Sequence, residues 1–285
     1  MLKFALPLAL LLPFVSPAVG APAMWKVSDG DSAIYLFGSF HVLPGGIDWR
    51  TPLFDERLAA ADKIVLETDI SPMSQAQVGA AAIARGVYVD GTLLTDVIDA
   101  DLEAKLRTQS LAYGLPVGSL LAMRPWMAAN TISVAAVVAL GYDQPGVELQ
   151  LEPELEPERL IHLETGDEQL DVLAGASEAE QLAMLQATLD ELDTMPKLMS
   201  KMMHHWQAGT ADRIAHLFQM EMGGFEDAFL DRLLYQRNRN WMGPLSQLLA
   251  DDVDALVIVG AAHLVGPTNV IELLEAEGFT ATRLQ

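Results

Sequence analysis

Cysteine is absent from this chain of 285 residues. The absence excludes disulfide bonds, a thiol nucleophile and a thiolate metal site, so any metal must be held by His, Asp, Glu or Asn side chains and water. Positive charge is also scarce. The chain has 17 Lys and Arg residues and 39 Asp and Glu residues, which gives a net charge of -22. No basic surface can dominate so acidic a chain, which argues against nucleic acid or an anionic membrane as a partner.

Long apolar runs are missing after residue 23, so no later segment approaches the roughly 20 apolar residues that a membrane span needs. Residues 1–23 contain one early charge, Lys3, then a short apolar stretch and a group of small residues. This pattern predicts a secretory signal peptide, cleaved after Gly20 or Ala23. Two prolines interrupt the apolar stretch, which makes an uncleaved anchor the weaker alternative. We therefore expect an exported, periplasmic protein without a membrane span after cleavage.

The mature part of the chain, residues 24–285, is long and apolar enough for one large α/β domain or two small ones. Strands are predicted at residues 24–28, 33–37, 63–66, 159–163, 255–259 and 280–284. Helices are predicted at residues 53–61, 74–84, 101–113 and 124–140, and helical periodicity extends over about residues 166–249. This order predicts a single α/β domain with a central mixed or parallel sheet and a helical insertion or cap.

Two apolar strands end in the same local pattern, Gly-x-x-His. The first is "YLFGSFHVLPG", with Gly38 and His41, and the second is "VIVGAAHLVGP", with Gly260 and His263. Ligands of open α/β sheets bind beyond the carboxyl ends of the strands, where both histidines are expected. A structural role explains either histidine alone, because a histidine after a strand often lies in a loop and hydrogen-bonds to the backbone. The repeated pattern favours a shared site.

A second repeat places Leu-Glu-Thr at the end of two short strands and gives Glu67 and Glu164. If the four strands are parallel neighbours, the two histidines and the two glutamates meet at one edge of the sheet. Such side chains can hold a divalent ion such as Mn, Co or Zn. Without a metal, they can act as general base and acid on a carbonyl substrate. The alternative for Glu164 is a structural role, because Thr165 directly after it begins a helix cap.

Four more polar residues are candidates for the same cleft. Arg124 starts a long helix that is otherwise poor in charge, Arg237 and Asn238 lie together in "YQRNRNW", and Glu148 follows a turn in "QPGVELQ". An arginine in such a cleft can bind a substrate carboxylate or stabilise an oxyanion. The alternatives are salt bridges for the two arginines and a solvated helix position for Glu148.

The sequence resembles the TraB/PrgY/GumN family, which includes the TIKI-type proteases. The matching segments are, in order, "MWKVSDGDSAIYLFGSFHVLPGGIDW", "IVLETD", "RPW", "GVE", "LETGDEQL", "RNRNW" and "VIVGAAHLVGPTNVIELLEAEGFTATRL", and they extend over nearly the whole mature chain. The resemblance implies a fold similar to those of TIKI proteins and erythromycin esterases, and to that of haem-binding iron-regulated lipoproteins. For the TIKI branch it implies metal-dependent proteolysis through the paired Gly-x-x-His motifs.

Site residues follow from the resemblance by position. His41 and His263 correspond to the motif histidines, and Glu67 corresponds to the glutamate after the second core strand. The positions expected around the cleft are those of Arg124, Glu148, Arg237 and Asn238.

The first functional hypothesis is a periplasmic metal-dependent hydrolase that acts on a peptide bond. The two motif histidines and Glu67 would hold Mn, Co or Zn, and metal-bound water with a lowered pKa would attack the carbonyl. Arg124 or Arg237 would stabilise the oxyanion, and Glu148 or Glu164 would transfer the proton. The second hypothesis is a metal-independent, esterase-like hydrolase with a histidine base. The third is a protein that binds a peptide, haem or metal ion without turnover.

Overall fold

The computed structural model of the protein describes residues 20–222 and 227–285, so the signal peptide expected at residues 1–23 lies almost wholly outside the described residues. Within those residues, every helix is too short or too polar to span a lipid bilayer. The strands are β1 Met24–Ser28, β2 Ala33–Ser39, β3 Val42–Leu43, β4 Lys63–Leu66, β5 Gln144–Pro145, β6 Leu160–His162, β7 Ala255–Gly260 and β8 Thr280–Arg283.

The helices lie between and after these strands. They are α1 Pro52–Ala60, α2 Pro72–Gly86, α3 Leu94–Val97, α4 Ala100–Ala112, α5 Pro125–Ala139, α6 Val147–Leu151, α7 Gly166–Ala174, α8 Glu178–Glu191, α9 Met195–Gln207, α10 Ala211–Met222, α11 Asp227–Leu230, α12 Gln236–Ala250 and α13 Val270–Ala276. A π-helical turn, Asp231–Tyr235, joins α11 to α12, and a 3-10 turn, Ala261–Leu264, follows β7.

Side-chain caps explain where two of the helices begin. The Ser71 side chain accepts a hydrogen bond from the Ser74 amide, and a proline suits the first helical position, so α2 begins at Pro72 rather than at residue 74. The capping box predicted in "LETGDEQL" is present at the start of α7. There the Glu168 amide donates to the Thr165 hydroxyl at 3.2 Å, and the Thr165 amide donates to the Glu168 carboxylate at 2.8 Å.

Six strands form one mixed sheet in the order β6-β4-β7-β2-β1-β8. The strands β6, β4, β7 and β2 are parallel neighbours, whereas β1 is antiparallel to both β2 and β8. Strand β7, with the sequence "ALVIVG", is buried along almost its whole length, as is typical of a strand that is covered on both faces. The predicted α/β class and mixed sheet are therefore confirmed, and four strands end at the same edge.

Apolar clusters lie on both faces of the sheet, and another cluster holds several helices together. One face contains Phe37 and Trp206, and the opposite face contains Val257 and Trp241. The remaining cluster contains Trp126 of α5 with buried residues of α4 and α8. The long helical stretch of residues 166–249 is therefore divided among three layers, because α12 covers one face of the sheet, α9 covers the other, and α8 packs on earlier helices.

A glycine allows α6 to approach the loop that carries the first motif histidine. A Cβ atom on Gly146 would lie 2.2 Å from the carbonyl carbon of His41 and 2.4 Å from the Phe40 carbonyl oxygen. The Val147 amide donates to the Phe40 carbonyl at 3.1 Å and closes the contact. Only glycine fits at this position, because the atoms that a Cβ would meet belong to the backbone and cannot move aside as a side chain can.

Replacing Gly146 with Ala is expected to lower the free energy of unfolding by about 1–3 kcal/mol, because the added methyl group overpacks a rigid contact. Gly79→Ala is the matched control, since a Cβ atom there meets nothing within 4 Å. The control is expected to gain up to about 1 kcal/mol from its helical position in α2. Urea unfolding followed by circular dichroism measures both changes. Equal midpoints for the two variants would contradict the close approach.

Candidate active site

A cleft of about 870 Å³ opens where the parallel strands end. Its polar end is formed by residues that follow β2, β4 and β7, and helices supply most of the other walls. The volume lies in the range of roughly 300–1,000 Å³ that is typical of small-molecule binding sites. Because ligands of open α/β sheets bind beyond the carboxyl ends of the strands, this cleft is the candidate active site.

The structure gathers the residues proposed from the sequence at this cleft, with one exception. The cleft is lined by His41, Glu67, Glu148, Arg237 and His263. Glu164 and Asn238 do not line it but hydrogen-bond to residues that do. The shared edge expected from the two repeats is therefore present, because β6, β4, β7 and β2 are parallel neighbours.

Arg124 is the exception, because among the described residues it neither lines the cleft nor hydrogen-bonds to a residue that does. It is the residue before α5, and its guanidinium lies over the ring of Tyr88, 4.7 Å from the ring centroid. A cation-π contact of this kind stabilises a charge at the start of an apolar helix. The structure therefore corrects the placement that was expected for Arg124 from its charge.

Arg237 connects the charged residues of the cleft and is only 9% exposed. Its Nε donates to Glu164 Oε2 at 2.9 Å, and its Nη2 donates to Glu67 Oε2 at 2.7 Å and also to Glu164 Oε1. Its Nη1 donates to the Leu233 carbonyl at 3.0 Å and to Nε2 of His263 at 3.2 Å. These contacts use all five N–H donors of the guanidinium group. An oxyanion role for Arg237 would require the release of one of them.

The two buried carboxylates around Arg237 differ in their pKa. Burial would raise the pKa of Glu67, but the neighbouring positive charges and a hydrogen bond from the Gly260 amide at 2.7 Å hold it well below its usual range. Burial raises the pKa of Glu164, and the contacts with Arg237 offset this only in part. Glu67 is therefore the fixed negative charge at the floor of the cleft.

His263 is held as a neutral imidazole of one tautomer. Its Nδ1 lies 2.5 Å from Oδ1 of Asn238, whose Nδ2 donates to the Thr268 carbonyl at 2.8 Å and so orients the amide. Nδ1 must therefore carry the proton, and Nε2 keeps its lone pair. Burial lowers the pKa of His263 to about 3, since the charge of Glu67 does not offset burial and the charge of Arg237. The ring of Trp241 packs against the imidazole at 4.3 Å.

His41 differs from His263 because 61% of its side chain is exposed. Its Nδ1 lies 3.2 Å from Oε1 of Glu148, and the Ser39 hydroxyl donates to the same oxygen. Desolvation would lower the pKa of His41, but the hydrogen bond and charge of Glu148, with the charge of Glu67, raise it to about 9. With Nδ1 bound to Glu148, Nε2 is the nitrogen that is left for a ligand in the cleft.

Gly260 leaves open the space between the two histidines and Glu67. A Cβ atom at this position would lie 3.2 Å from Glu67 Oε1, 3.3 Å from His41 Nε2 and 3.7 Å from His263 Cδ2. Nitrogen and carboxylate oxygen are suitable donors for Mn, Co or Zn. Among the described residues, however, no three His, Asp or Glu side chains are grouped closely enough to hold a metal ion. The donor types therefore fit a metal, and the spacing fits it only if the side chains move.

The sequence patterns did not identify two residues of the site, Ser39 and Gln169. Ser39 lies two positions before His41, inside the first motif, and is 2% exposed. Gln169 follows the α7 cap, and its Nε2 donates to Glu67 at 3.1 Å and to Glu164 at 3.3 Å. Their position inside matched segments was the only signal for the contacts with Glu148 and Glu67, because these two partners are distant in the chain.

Comparison with known proteins identifies the family of this chain. The family described as TraB/PrgY/gumN matches residues 23–283. Searches among curated proteins and among solved structures each give no match. The matched range contains every residue of the candidate site and nearly all of the described chain. The protein therefore belongs to the TraB/PrgY/gumN family.

Proposed function

We propose that the protein is an exported hydrolase that cleaves an amide or ester bond in a peptide or small molecule, with His41 as the general base. The observation that carries this proposal is the placement of His41 in the cleft, where Nδ1 contacts Glu148 and Nε2 lies beside Gly260. Export is supported by the composition of residues 1–23.

The histidine and its carboxylate partner account for the proton transfers. Nε2 of His41 takes a proton from water while the water oxygen bonds to the substrate carbonyl carbon. Glu148 stabilises the imidazolium that forms, and the Ser39 hydroxyl holds the carboxylate in place. The imidazolium then gives its proton to the leaving nitrogen or oxygen as the bond to the carbonyl carbon breaks. The cycle ends with His41 neutral again.

The remaining polar residues keep the floor of the cleft fixed in this proposal. Arg237 links the ends of β4 and β6 through Glu67 and Glu164, and Asn238 fixes the orientation of His263. A prearranged floor favours catalysis because no reorganisation is needed when charge develops on the substrate.

Metal-dependent hydrolysis of a peptide bond is the second candidate. The observation that favours it is the distance of 3.7 Å between His263 Nε2 and Glu67 Oε1. Two ligands that are each about 2.1 Å from a tetrahedral ion lie roughly 3.4 Å apart. His41 would be the third ligand, and Arg237 would release Nε2 of His263. A bound Mn, Co or Zn ion would lower the pKa of water and polarise the carbonyl.

The pH dependence tests the general base. Since catalysis requires neutral His41 and its pKa is raised, kcat/KM is expected to rise with pH and to reach half its plateau well above pH 6.5. In Glu148→Gln the raising charge is removed, so this midpoint is expected to fall towards 6.5 and kcat to drop by at least about tenfold. The measurement is the pH profile for hydrolysis of p-nitrophenyl butyrate, with a fluorogenic peptide library as a second substrate.

Glu154→Gln is the matched control for that profile, since Glu154 is exposed, pairs with Arg50 and does not line the cleft. The control is expected to keep the midpoint and the plateau of the wild type. A midpoint that is the same in Glu148→Gln and in the wild type would contradict the role of His41 as base.

Chelation separates the two candidates. After dialysis against EDTA, the general-base proposal expects kcat/KM to stay within about twofold of the untreated value, because no step depends on an ion. The assay is repeated after adding back Mn, Co or Zn, and ion binding is measured for the wild type and for His263→Ala. A loss of activity that one ion restores, with stoichiometric binding that His263→Ala abolishes, would overturn the metal-free mechanism and establish the second candidate.

A further inference from the structure

Every basic side chain that lines the cleft among the described residues already has a partner. The guanidinium of Arg237 is saturated by its five contacts. Both ring nitrogens of His263 are hydrogen-bonded, one to Arg237 and the other to Asn238, and His41 pairs with Glu148 through Nδ1. Among these side chains, the one ring nitrogen left open is Nε2 of His41, and it faces the same space as the carboxylate oxygen Oε1 of Glu67, so an anion that reached it would also meet a negative charge.

Carboxylates add negative charge to the same space. Glu67 lies at the floor, and Asp69 lies at the exposed rim of the cleft. The Ser71 amide donates to the Asp69 carboxylate at 2.8 Å and holds it in place at the rim. The field in the cleft thus opposes negative charge on a ligand.

The walls beyond the polar floor are apolar and come from the helical parts of the chain. They include Val78 of α2, Val172 of α7, Ile214 and Phe218 of α10, and Leu233 and Leu234 of the π-helical turn. The wall helices α2 and α7 are in close contact, since a Cβ atom on Gly166 would lie 2.3 Å from Cγ2 of Val78. The apolar space therefore has at least one firmly packed side.

We propose that the cleft selects substrates that present a large apolar group without negative charge, and that it discriminates against anions. The cleft volume of about 870 Å³ accommodates a group much larger than one aliphatic side chain. A neutral apolar group loses little on desolvation there, and the desolvation of a cation is offset by the carboxylates of Glu67 and Asp69, whereas the same carboxylates repel an anion that has lost its hydration. The inference names the substrate class of the proposed hydrolase, and therefore rests on that function, but the binding preference itself does not require turnover.

Three probes of nearly equal shape test the selection by isothermal titration calorimetry at pH 7. They are neutral 2-naphthylmethanol, cationic 2-naphthylmethylamine and anionic 2-naphthoate. The alcohol and the amine are expected to bind at least about tenfold more tightly than the naphthoate. Equal or tighter binding of naphthoate, or no binding of any probe at millimolar concentration, would overturn the proposal.

Charge variants locate the effect in the cleft. Leu149 lines the cleft and is 40% exposed, so Leu149→Arg can be accommodated and is expected to strengthen naphthoate binding at least about fivefold relative to the alcohol. Val89→Arg is the matched control, because Val89 is 93% exposed and does not line the cleft. Asp69→Asn is expected to weaken the amine relative to the alcohol. Identical shifts in Leu149→Arg and Val89→Arg would contradict selection by the cleft.

The two proposals can fail separately in these experiments. If the probes show the expected order but no ester or peptide is hydrolysed, the cleft binds apolar ligands and the hydrolase proposal fails alone. If hydrolysis occurs and substrates with anionic acyl groups are cleaved as fast as those with neutral ones, the proposed discrimination against anions fails and the hydrolase proposal stands.

Discussion

The buried contact of Arg237 with Glu67 and Glu164 is the interaction on which the site depends. It joins α12, which covers one face of the sheet, to the ends of two neighbouring parallel strands. Removing one partner of a buried ion pair typically costs about 3–5 kcal/mol, because the other charge is left uncompensated. The same guanidinium contacts His263, so the charge state of that histidine depends on the ion pair as well.

The ion pair also explains why two histidines in the same local pattern have different properties. His263 faces the guanidinium in a buried position, which favours the neutral ring. His41 lies at the open side of the cleft beside Glu148, which favours the charged ring. A pair of titratable groups whose environments move their pKa values apart can divide acid and base roles within one site. The equivalence of the two motifs in the sequence therefore does not extend to their chemistry.

The fold class and much of the site were predictable because strand ends carry a strong local signal. Apolar runs followed by His or Glu predicted which strands end together, and β6, β4, β7 and β2 are parallel neighbours in the sheet. The placement of Arg124 was not predictable, since a charge at a helix start fits a cleft and a cation-π contact equally well. Ser39 was missed because its partner Glu148 is about a hundred residues away in the chain, and Gln169 was missed because its partner Glu67 is about as far away.

The central claim is that His41 is the titrating group of the cleft while His263 stays neutral with its proton on Nδ1. Histidine NMR with nitrogen-15 labels, using His41→Gln and His263→Gln for assignment, measures both rings between pH 5 and pH 10 under conditions in which the fold persists. The account predicts that His41 titrates well above its ordinary value of 6.5 and that His263 keeps one neutral tautomer throughout. A protonated His263 at neutral pH, or a His41 that titrates below 6.5, would contradict it.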